Sequence, residues 1–555
     1  MAQSELLFAP LGGIGEIGMN LSIYGFGDGR RRQWLIVDCG VSFAAEEHLP
    51  GVDLIMPDIR YLIEERKNIV GLVLTHGHED HLGALIDLWP RLNVPIYATP
   101  FTAALFEAKR VGEPGAPQIP IKVVPLRGTV TLGAFAVEFV SVAHSIPESN
   151  ALAIRTPAGT VLHTGDWKID LTPLAGSTTD AARLSALGDE GVLALVGDST
   201  NAIRDGRSPS EADVAKTIAD LVRTAPARVA VTTFASHVDR IRAVADAARA
   251  AEREVVVVGR AMERVVQVAR ETGYLDGVQE FRSAESYGYL PPDKVLALCT
   301  GSQGEPRAAL ARIADDEHPE VTLSRGDRVI FSARAIPGNE KAVDRVINGL
   351  VAQGVEVITD RTHLVHVSGH PRRAELLDMI GWVRPQILIP AHGEALHLAE
   401  HAALARRAGV PQVLVCRNGD LVQLAPGPAA IVDEIPSGRV YKDGSLLVDA
   451  EARIVGSRRR LSFSGLISVA LALSDKGALL ADPEIELFGI PERDAAGASM
   501  TDIARNAVEA AFELLPRPRR RDPDEVAESI RRAVRAAIAE RWNKKPTCHV
   551  HVLVL

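Results

Sequence analysis

Along the first 200 positions apolar residues come in short runs that end on polar ones. "WLIVDCG", "IVGLVLTHGH", "FAVEFVSVAHS", "LAIRTPAGTVLHTGDW" and "VLALVGDST" each pass from β-branched or large aliphatic side chains into an Asp or His beside Gly, Ser or Thr. Runs of this length, punctuated by Gly and Pro, predict strands. In α/β folds, chemistry collects at the carboxyl ends of strands. From about Arg207 to Asp360 the rhythm becomes helix then strand: "RVAVTTFAS", "EVVVVGR", "VLALCTGSQGE", "DRVIFSARAIPGNE" and "VEVITD" alternate with Ala-rich amphipathic stretches. Continuous β-branched runs separated by helices predict a parallel sheet covered on both faces. "QILIPAHGEALHLAEHAALARRAGV" then resumes the first style, so the second module reads as an insertion into the first.

Further on, "LAPGPAAIVDEIPSGRVYKDGS" predicts an irregular, Pro/Gly-rich connection. The tail combines strand-like runs, a helix over Pro523–Trp542 with Val526, Ile530, Val534, Ile538 and Trp542 on one face, and a final alternating strand "CHVHVLVL". The expected division is a first lobe over 1–207, the insertion over 208–360, the returning lobe over 361–440, a linker over 441–460 and a small α+β domain over 461–555.

A chain of 555 residues is too long for one core, which agrees with this division. With 46% hydrophobic and 24% charged residues, disorder is excluded as the main theme. The start, "MAQSELLFAP", lacks a basic segment followed by an apolar one. No apolar run approaches the roughly 20 residues of a membrane helix, so a cytoplasmic protein is expected. Cys39, Cys299, Cys416 and Cys548 are scattered without CxxC spacing, which points to reduced thiols. A nucleic-acid binder usually shows a basic face, so the formal charge of −10, from 71 acids against 61 bases, counts mildly against one. "GRRRQW", "GSRRRL" and "PRPRRRDP" could each supply a local patch, although singly each reads as a solvated loop.

The densest polar cluster is "HGHEDH", with His76, His78, Asp80 and His81 within six positions. Residues two apart diverge on a helix, but at a strand end running into a loop both imidazoles can converge on one ion. A zinc-type ion takes about four ligands, so one such cluster is too small for two. Three isolated polar residues at other strand ends extend it: His144 in "SVAHSIPES", Asp166 in "VLHTGDWKID" and His392 in "LIPAHGEAL". Each alone reads as a turn or cap residue. Together the seven suffice for two metals with Asp166 bridging. Gly13, Gly15 and Gly18 in "GGIGEIG" space as GxGxxG, yet no suitable acid follows in a second strand, and they read as a close backbone turn under the metal site.

From "HxHxDH" onward the sequence resembles the metallo-β-lactamase superfamily. That resemblance implies an αββα sandwich in which His76, His78, His144 and Asp166 hold one ion and Asp80, His81, Asp166 and His392 the other. The ions would be two Zn2+, with Mn2+ or Mg2+ as alternatives, and Asp38 in "IVDCG" would support the ligands from behind. Two adjacent metals imply hydrolysis by a bridging hydroxide. The inserted module resembles the β-CASP nucleases, with Asp198 in "VGDSTN", His370 in "HVSGHP" and His392 in "PAHGE" at that group's motif positions. "LGGIGEIGMN", "TTFASHVDRI", "LCTGSQGEPRAALARIA" and "VIFSARAIPGNE" are similar to the bacterial ribonuclease J family, strongly over about residues 6–440 and more weakly in the tail.

The resemblance implies an α/β enzyme that degrades single-stranded RNA from a 5′-monophosphate end in the 5′ to 3′ direction, with internal cleavage as a second activity, in mRNA decay and rRNA maturation. Asp80, His370, Asp38 and Asp198 would be catalytic. His366, Val367, Ser368, Gly369 and His370 would bind the RNA, since a hydroxyl, a backbone N–H and an imidazole there can reach one phosphate. Phe234, Ser236 and His237 would line the RNA channel, the aromatic ring offering a stacking surface. Ser332 and Arg334 would recognise the 5′-monophosphate. The family's C-terminal domain implies a homodimer or homotetramer, and membership of an RNA-degradation complex is a further expectation. Three rivals stand beside this reading: a β-CASP enzyme with DNA or purely endonucleolytic specificity, a hydrolase of small esters or lactams, and a non-catalytic RNA-binding scaffold.

Overall fold

A computed structural model describes residues 4–44, 49–336 and 338–555. One compact unit runs through residues 4–43 and 55–440, and a second takes in 44, 49–54 and 441–555.

The first unit is built on two facing sheets. One has eight strands in the order Ala430–Glu434, Asp420–Ala425, Glu5–Gly12, Leu21–Gly27, Gln33–Val37, Ile69–Val73, Ile96–Ala98, Ile121–Val123. The other has seven, in the order Gln412–Val413, Ile387–Ala391, Ala194–Asp198, Gly159–His163, Asn150–Thr156, Phe135–Ser141, Thr129–Leu132. Alternation along the strands drives the pairing of the sheets. Leu6, Phe8, Tyr24, Leu35, Val37 and Val73 from the first meet Phe135, Val137, Phe139, Leu152, Ile154 and Val196 from the second in one buried layer. Helices cover the outer face of the seven-stranded sheet, where Leu184, Leu376, Ile380 and Leu404 pack on Leu162, Leu195 and Leu388. This is the αββα sandwich expected from the metal-ligand motif.

The chain leaves the sandwich after the strand Ala194–Asp198 and returns beside that same strand at Ile387–Ala391, pairing parallel with Asp198 opposite Ala391. Asp198 thereby comes to lie next to His392 although 194 positions separate them in sequence. Between these strands lies a separate sheet of five, ordered Glu254–Val258, Val295–Cys299, Val229–Thr232, Arg328–Phe331, Glu356–Ile358, every pair parallel. Its strands are buried on both faces. Val214, Ile218 and Ile241 cover one side, and Leu310, Ile313, Val346 and Leu350 the other. That is why these strands read as unbroken apolar runs.

The second unit contains a three-stranded sheet, Glu484–Phe488, Leu466–Leu473, Thr547–Val554, with the last two strands parallel. The helices Met500–Leu514 and Pro523–Trp542 pack on its apolar face through Val508, Phe512, Val526, Ile530, Val534 and Ile538. Asp522 caps the longer helix by accepting from the backbone N–H groups of Asp524 and Glu525.

The connection expected to be irregular is ordered. Asp420–Ala425 and Ala430–Glu434 form an antiparallel hairpin at the edge of the eight-stranded sheet, and strands Arg439–Asp443 and Leu446–Asp449 and helix Arg453–Ser464 fill the stretch read as a linker. The reason lies in exposure: Ile431 and Val432 are 46% and 50% exposed, so these strands show no burial alternation, and the Pro and Gly residues that dominate the pattern mark only their turns. All four cysteines are buried and free. No helix among the described residues is long and apolar enough to cross a membrane.

Candidate metal centre

The seven predicted donors, drawn from four separate stretches of chain, meet at one point. Strand Ile69–Val73 ends in Thr75–His76, and a one-turn helix begins at Glu79. His78, extended at the residue before that helix, folds its ring back toward His76. His76 Nε2 and His144 Nε2 each lie 3.1 Å from His78 Nδ1, with Asp166 Oδ2 at 3.9 and 3.7 Å from the same two nitrogens. On the other side, Asp166 Oδ2 is 3.2 Å from His81 Nε2. Asp80 Oδ2 is 3.4 Å from His392 Nε2, and Asp166 Oδ1 is 2.7 Å from His392 Nδ1. The ligand atoms of His76, His78, His144 and Asp166 lie within 4.8 Å of one another, as do those of Asp80, His81, Asp166 and His392. Asp166 belongs to both groups.

These donors fit divalent cations. Asp166 Oδ1 and both nitrogens of His392 are shielded from solvent and make no hydrogen bond, despite the 2.7 Å approach. Burial holds the His76 and His144 imidazoles well below their ordinary pKa and lowers that of His78 to about 4, which keeps them in the neutral, ligating form. Four carboxylates, those of Asp38, Asp80, Asp166 and Asp198, enter the cluster without a Lys or Arg contact among the described residues.

Groups behind the ligands aim them. Asp38 accepts from the Thr75 N–H and Thr75 Oγ1, both at 2.8 Å, and from His81 Nδ1 at 2.7 Å, so His81 presents Nε2 to the centre. His144 Nδ1 donates to the Gly369 carbonyl at 2.6 Å and likewise presents Nε2. Asp38 and His392 both take left-handed backbone conformations, φ 63° and 48°, a strain that clusters at functional sites. The "GGIGEIG" turn lies beneath: Ile14 and Glu16 bridge to Gly393, and a Cβ on Gly40 would stand 1.7 Å from the Asp80 carbonyl oxygen.

Family models match nearly all of the chain: the metallo-β-lactamase superfamily over residues 28–260, the ribonuclease J β-CASP domain over 226–350, a Zn-dependent metallo-hydrolase RNA specificity domain over 354–415 and the ribonuclease J C-terminal domain over 453–554. Ribonuclease J of Sinorhizobium meliloti is 54% identical over 553 residues, covering 100% of this chain and 98% of the relative. The chain belongs to the ribonuclease J family. Ribonuclease J of Corynebacterium glutamicum and that of Mycolicibacterium smegmatis are each 40% identical, covering 97% and 98% of this chain and 74% and 97% of their own lengths. A crystal structure of a protein of unknown function from Enterococcus faecalis shares the fold, with a TM-score of 0.52 at 16% identity, over 76% of this chain and 100% of its own. As a ribonuclease J family member the chain is a metal-dependent ribonuclease, a hydrolase of RNA with zinc as the family's cofactor.

The family's β-CASP motif residues gather beside the cation cluster. His370 Nδ1 lies 2.8 Å from Asp198 Oδ2 and 3.9 Å from Asp166 Oδ2. Asn201 Nδ2 donates to Ser368 Oγ at 2.9 Å and to the His370 carbonyl at 3.0 Å, fixing the loop. His366 and Ser368 are half-buried, and Val367 and Gly369 are buried. Phe234 and Ser236 remain partly exposed.

Two expected RNA contacts lie elsewhere. His237 is fully buried because helix Val238–Ala250 starts at the next residue and turns the ring inward, 3.3 Å from Glu211. Ser332 is also fully buried, its Oγ donating to the Val365 carbonyl at 2.7 Å while Arg240 donates to it. Arg334 is half-exposed and paired with Asp360 at 2.9 Å. Asn20, Thr75 and Asn201 were missed. Asn20 Nδ2 donates to the Asp80 carbonyl at 3.1 Å and lies 3.0 Å from His81 Nε2. The polar residues following "EIGM" and "GLVL", and the last of "GDSTN", were the available signals.

Proposed function

We propose that this ribonuclease degrades single-stranded RNA from a 5′-monophosphate end in the 5′ to 3′ direction, with internal cleavage as a second activity, in mRNA decay and rRNA maturation. The observation that carries this reading is the seating of the Ser368–His370 loop directly on the ligand cluster through the bond from His144 to Gly369 at 2.6 Å. A substrate phosphate held by the loop is thereby presented to the cations and to nothing deeper.

His76, His78, His144 and Asp166 would hold one zinc ion and Asp80, His81, Asp166 and His392 the second. When bound, zinc supplies Lewis-acid stabilisation of phosphodiester charge and lowers the pKa of water. Asp38 holds the His81 proton at Nδ1. Asp198 holds the Nδ1 proton of His370, which leaves Nε2 to meet the phosphate or the leaving oxygen. A Cβ on Gly369 would stand 2.5 Å from the His144 ring, so only glycine lets the loop approach this closely. His366, Val367 and Ser368 would complete the grip on the RNA, with Phe234 and Ser236 along its path.

The work divides with the chain: residues 1–207 and 361–440 carry the cations, 208–360 the substrate cover, and 461–555 assembly into a homodimer or homotetramer. The edge strand Thr547–Val554 supports the last assignment, since Leu553, Val554 and Leu555 are 59%, 50% and 77% exposed. A cytoplasmic location, within an RNA-degradation complex, accords with the four free thiols. The test is digestion of one RNA bearing a 5′-monophosphate, 5′-triphosphate or 5′-hydroxyl, alongside DNA of equal sequence. Mononucleotides released first from the monophosphorylated end are expected. Equal digestion of DNA, or internal fragments alone, would overturn the proposal.

A further inference from the structure

Arg240 is the third residue of helix Val238–Ala250 and is wholly buried. Both facts are unfavourable in themselves, since a cation in the first turn opposes the helix dipole and a guanidinium is seldom taken out of water. The fork of the side chain explains the placement. Nη2 lies 2.8 Å from Glu211 Oε2, while Nη1 donates to the Val365 carbonyl at 2.8 Å and to the Ser332 carbonyl at 3.1 Å. Ser332 Oγ also accepts from Nη1, and itself donates to the Val365 carbonyl at 2.7 Å. Two donors thus converge on the carbonyl of a buried residue, and the next peptide N–H belongs to His366.

This anchor reaches back to the metal ligands. Glu211 Oε1 lies 2.8 Å from Lys168 Nζ, and Lys168 stands two residues beyond Asp166. The Lys168 N–H donates to the carbonyl of Ala143, the neighbour of His144, at 2.7 Å. A continuous set of buried bonds therefore runs from the backbone that bears Asp166 and His144, through Lys168, Glu211 and Arg240, to Val365. The other end of the His366–His370 stretch is tied separately. Asn201 donates to Ser368 and to the His370 carbonyl, and His144 donates to the Gly369 carbonyl. Only a fork can serve both sides of Arg240 at once. A lysine ammonium is a compact point charge that would meet Glu211 or the Val365 carbonyl, but not both.

We propose that Arg240 is a positioning residue for the RNA: held by Glu211, it fixes the Val365 carbonyl and so pre-sets the His366 end of the stretch that grips the strand. Arg240 touches no substrate. It lowers KM by removing the cost of ordering that end when RNA binds, and its role rests on the reading of His366–His370 as the RNA site.

The test compares full-length, zinc-loaded wild type with Arg240→Lys and Ser332→Ala. The first keeps a positive charge beside Glu211 but loses the fork. The second removes one donor to the Val365 carbonyl with little disturbance, and decides the matter if the first fails to fold. Hydrolysis of 5′-monophosphate RNA, zinc content and amide hydrogen exchange are measured on the same samples. Arg240→Lys is expected to raise KM about tenfold, as loss of a charged hydrogen bond does, and Ser332→Ala about threefold, as loss of a neutral one does. Both should keep kcat and zinc content nearly constant, because the His370 end has its own ties. Exchange should quicken over residues 363–370 and not in the buried strand Val229–Thr232. Wild-type KM and exchange in the folded variants would overturn the proposal. So would exchange quickened throughout the protein with KM unchanged, the mark of lost stability alone. Exchange quickened over 363–370 alone, with KM unchanged, would also overturn the positioning role, and would place the failure in the reading of this stretch as the RNA site rather than in the anchor.

Discussion

Two buried polar clusters lie in the same compact unit and meet the cost of burial in different ways. In one, Lys168 Nζ lies 2.8 Å from Glu211 Oε1 and 3.1 Å from Asp170 Oδ2, and Arg240 Nη2 lies 2.8 Å from Glu211 Oε2. Asp170 also accepts from the Glu211 N–H at 2.9 Å, and Arg240 Nη1 donates to the Val365 carbonyl at 2.8 Å. Two cations face two anions, and all four side chains are almost wholly buried. The other cluster gathers four carboxylates and six imidazoles with no Lys or Arg among them. A buried charge has to be paired. The first cluster carries its own counter-charges and so reads as structure, whereas the second lacks them and is built to take cations from solution. Only one residue, Trp167, separates Asp166 of the one from Lys168 of the other.

The sharpest way to break this comparison is to substitute one residue from each. Asp166→Asn or His78→Ala should abolish RNA hydrolysis, by on the order of 10³-fold or more, with the fold kept. Turnover of labelled RNA, measured with circular dichroism on the same samples, checks this; a variant that retains wild-type turnover would remove the cluster from catalysis. Glu211→Gln should do the reverse. It leaves Arg240 without its carboxylate and Lys168 with Asp170 alone, which costs about 3–5 kcal/mol, while the folded fraction still binds zinc. Denaturant unfolding reads the cost, and a loss under about 1 kcal/mol would count against a closed ion network.

The same network gives a pH dependence with a definite sign. Burial raises the Glu211 pKa, but Arg240, His237 and Lys168 together hold it well below the ordinary value. A depressed carboxyl contributes stability that is complete above the unfolded pKa, about 4.3, and is lost as pH falls further toward the folded value. The difference in melting temperature between wild type and Glu211→Gln should therefore be constant near neutrality and shrink below about pH 4. A constant difference down to pH 3 would show that the Glu211 carboxyl titrates alike in the folded and unfolded states, so that its neighbours do not favour the carboxylate.

Removing the metal is the next smaller effect. A ligand present at 100 times its Kd stabilises the native state by about 2.7 kcal/mol. Exhaustive chelation should lower the melting temperature of the wild type and leave that of Asp166→Asn almost unmoved. Equal shifts in both proteins would mean that the chelator acts somewhere other than this cluster.

The contrast also explains what could be read in advance. The seven candidate donors were legible because His76, His144, Asp166 and His392 follow apolar runs, with His78, Asp80 and His81 close behind the first, and a His or Asp at such a place breaks the hydrophobic pattern visibly. The inserted sheet was legible because strands buried on both faces are apolar throughout. Lys168, Glu211 and Arg240 were not, since charged residues scattered over loops and helix starts carry no period, and only the fold brings them together. His237 and Ser332 were misplaced for the same reason: a polar residue near a motif looks exposed until the following helix, or the neighbouring Val365 carbonyl, takes it inward. Ile431 and Val432, left outside by an edge hairpin, show the opposite failure, apolar residues without a core to signal.

Asp38→Asn gives the finest probe, because it alters neither a ligand nor the volume of the site. The carboxylate of Asp38 accepts three hydrogen bonds, from the Thr75 N–H, Thr75 Oγ1 and His81 Nδ1. An amide has one accepting oxygen. If that oxygen faces His81, the amide NH2 points at the Thr75 N–H, donor against donor. If it faces Thr75 N, the NH2 points at His81 Nδ1 and can be accommodated only by moving the proton to Nε2, the nitrogen that has to stay free for the cation. Either orientation weakens the site, and loss of such a supporting carboxylate typically costs 10–100-fold in metal affinity. Zinc titration of metal-free protein should show a loss in that range, and turnover should recover substantially at saturating zinc, which Asp166→Asn would not allow. Wild-type zinc affinity in Asp38→Asn would mean that His81 does not need its Nδ1 proton held, and that the aiming of this ligand resides in the backbone alone.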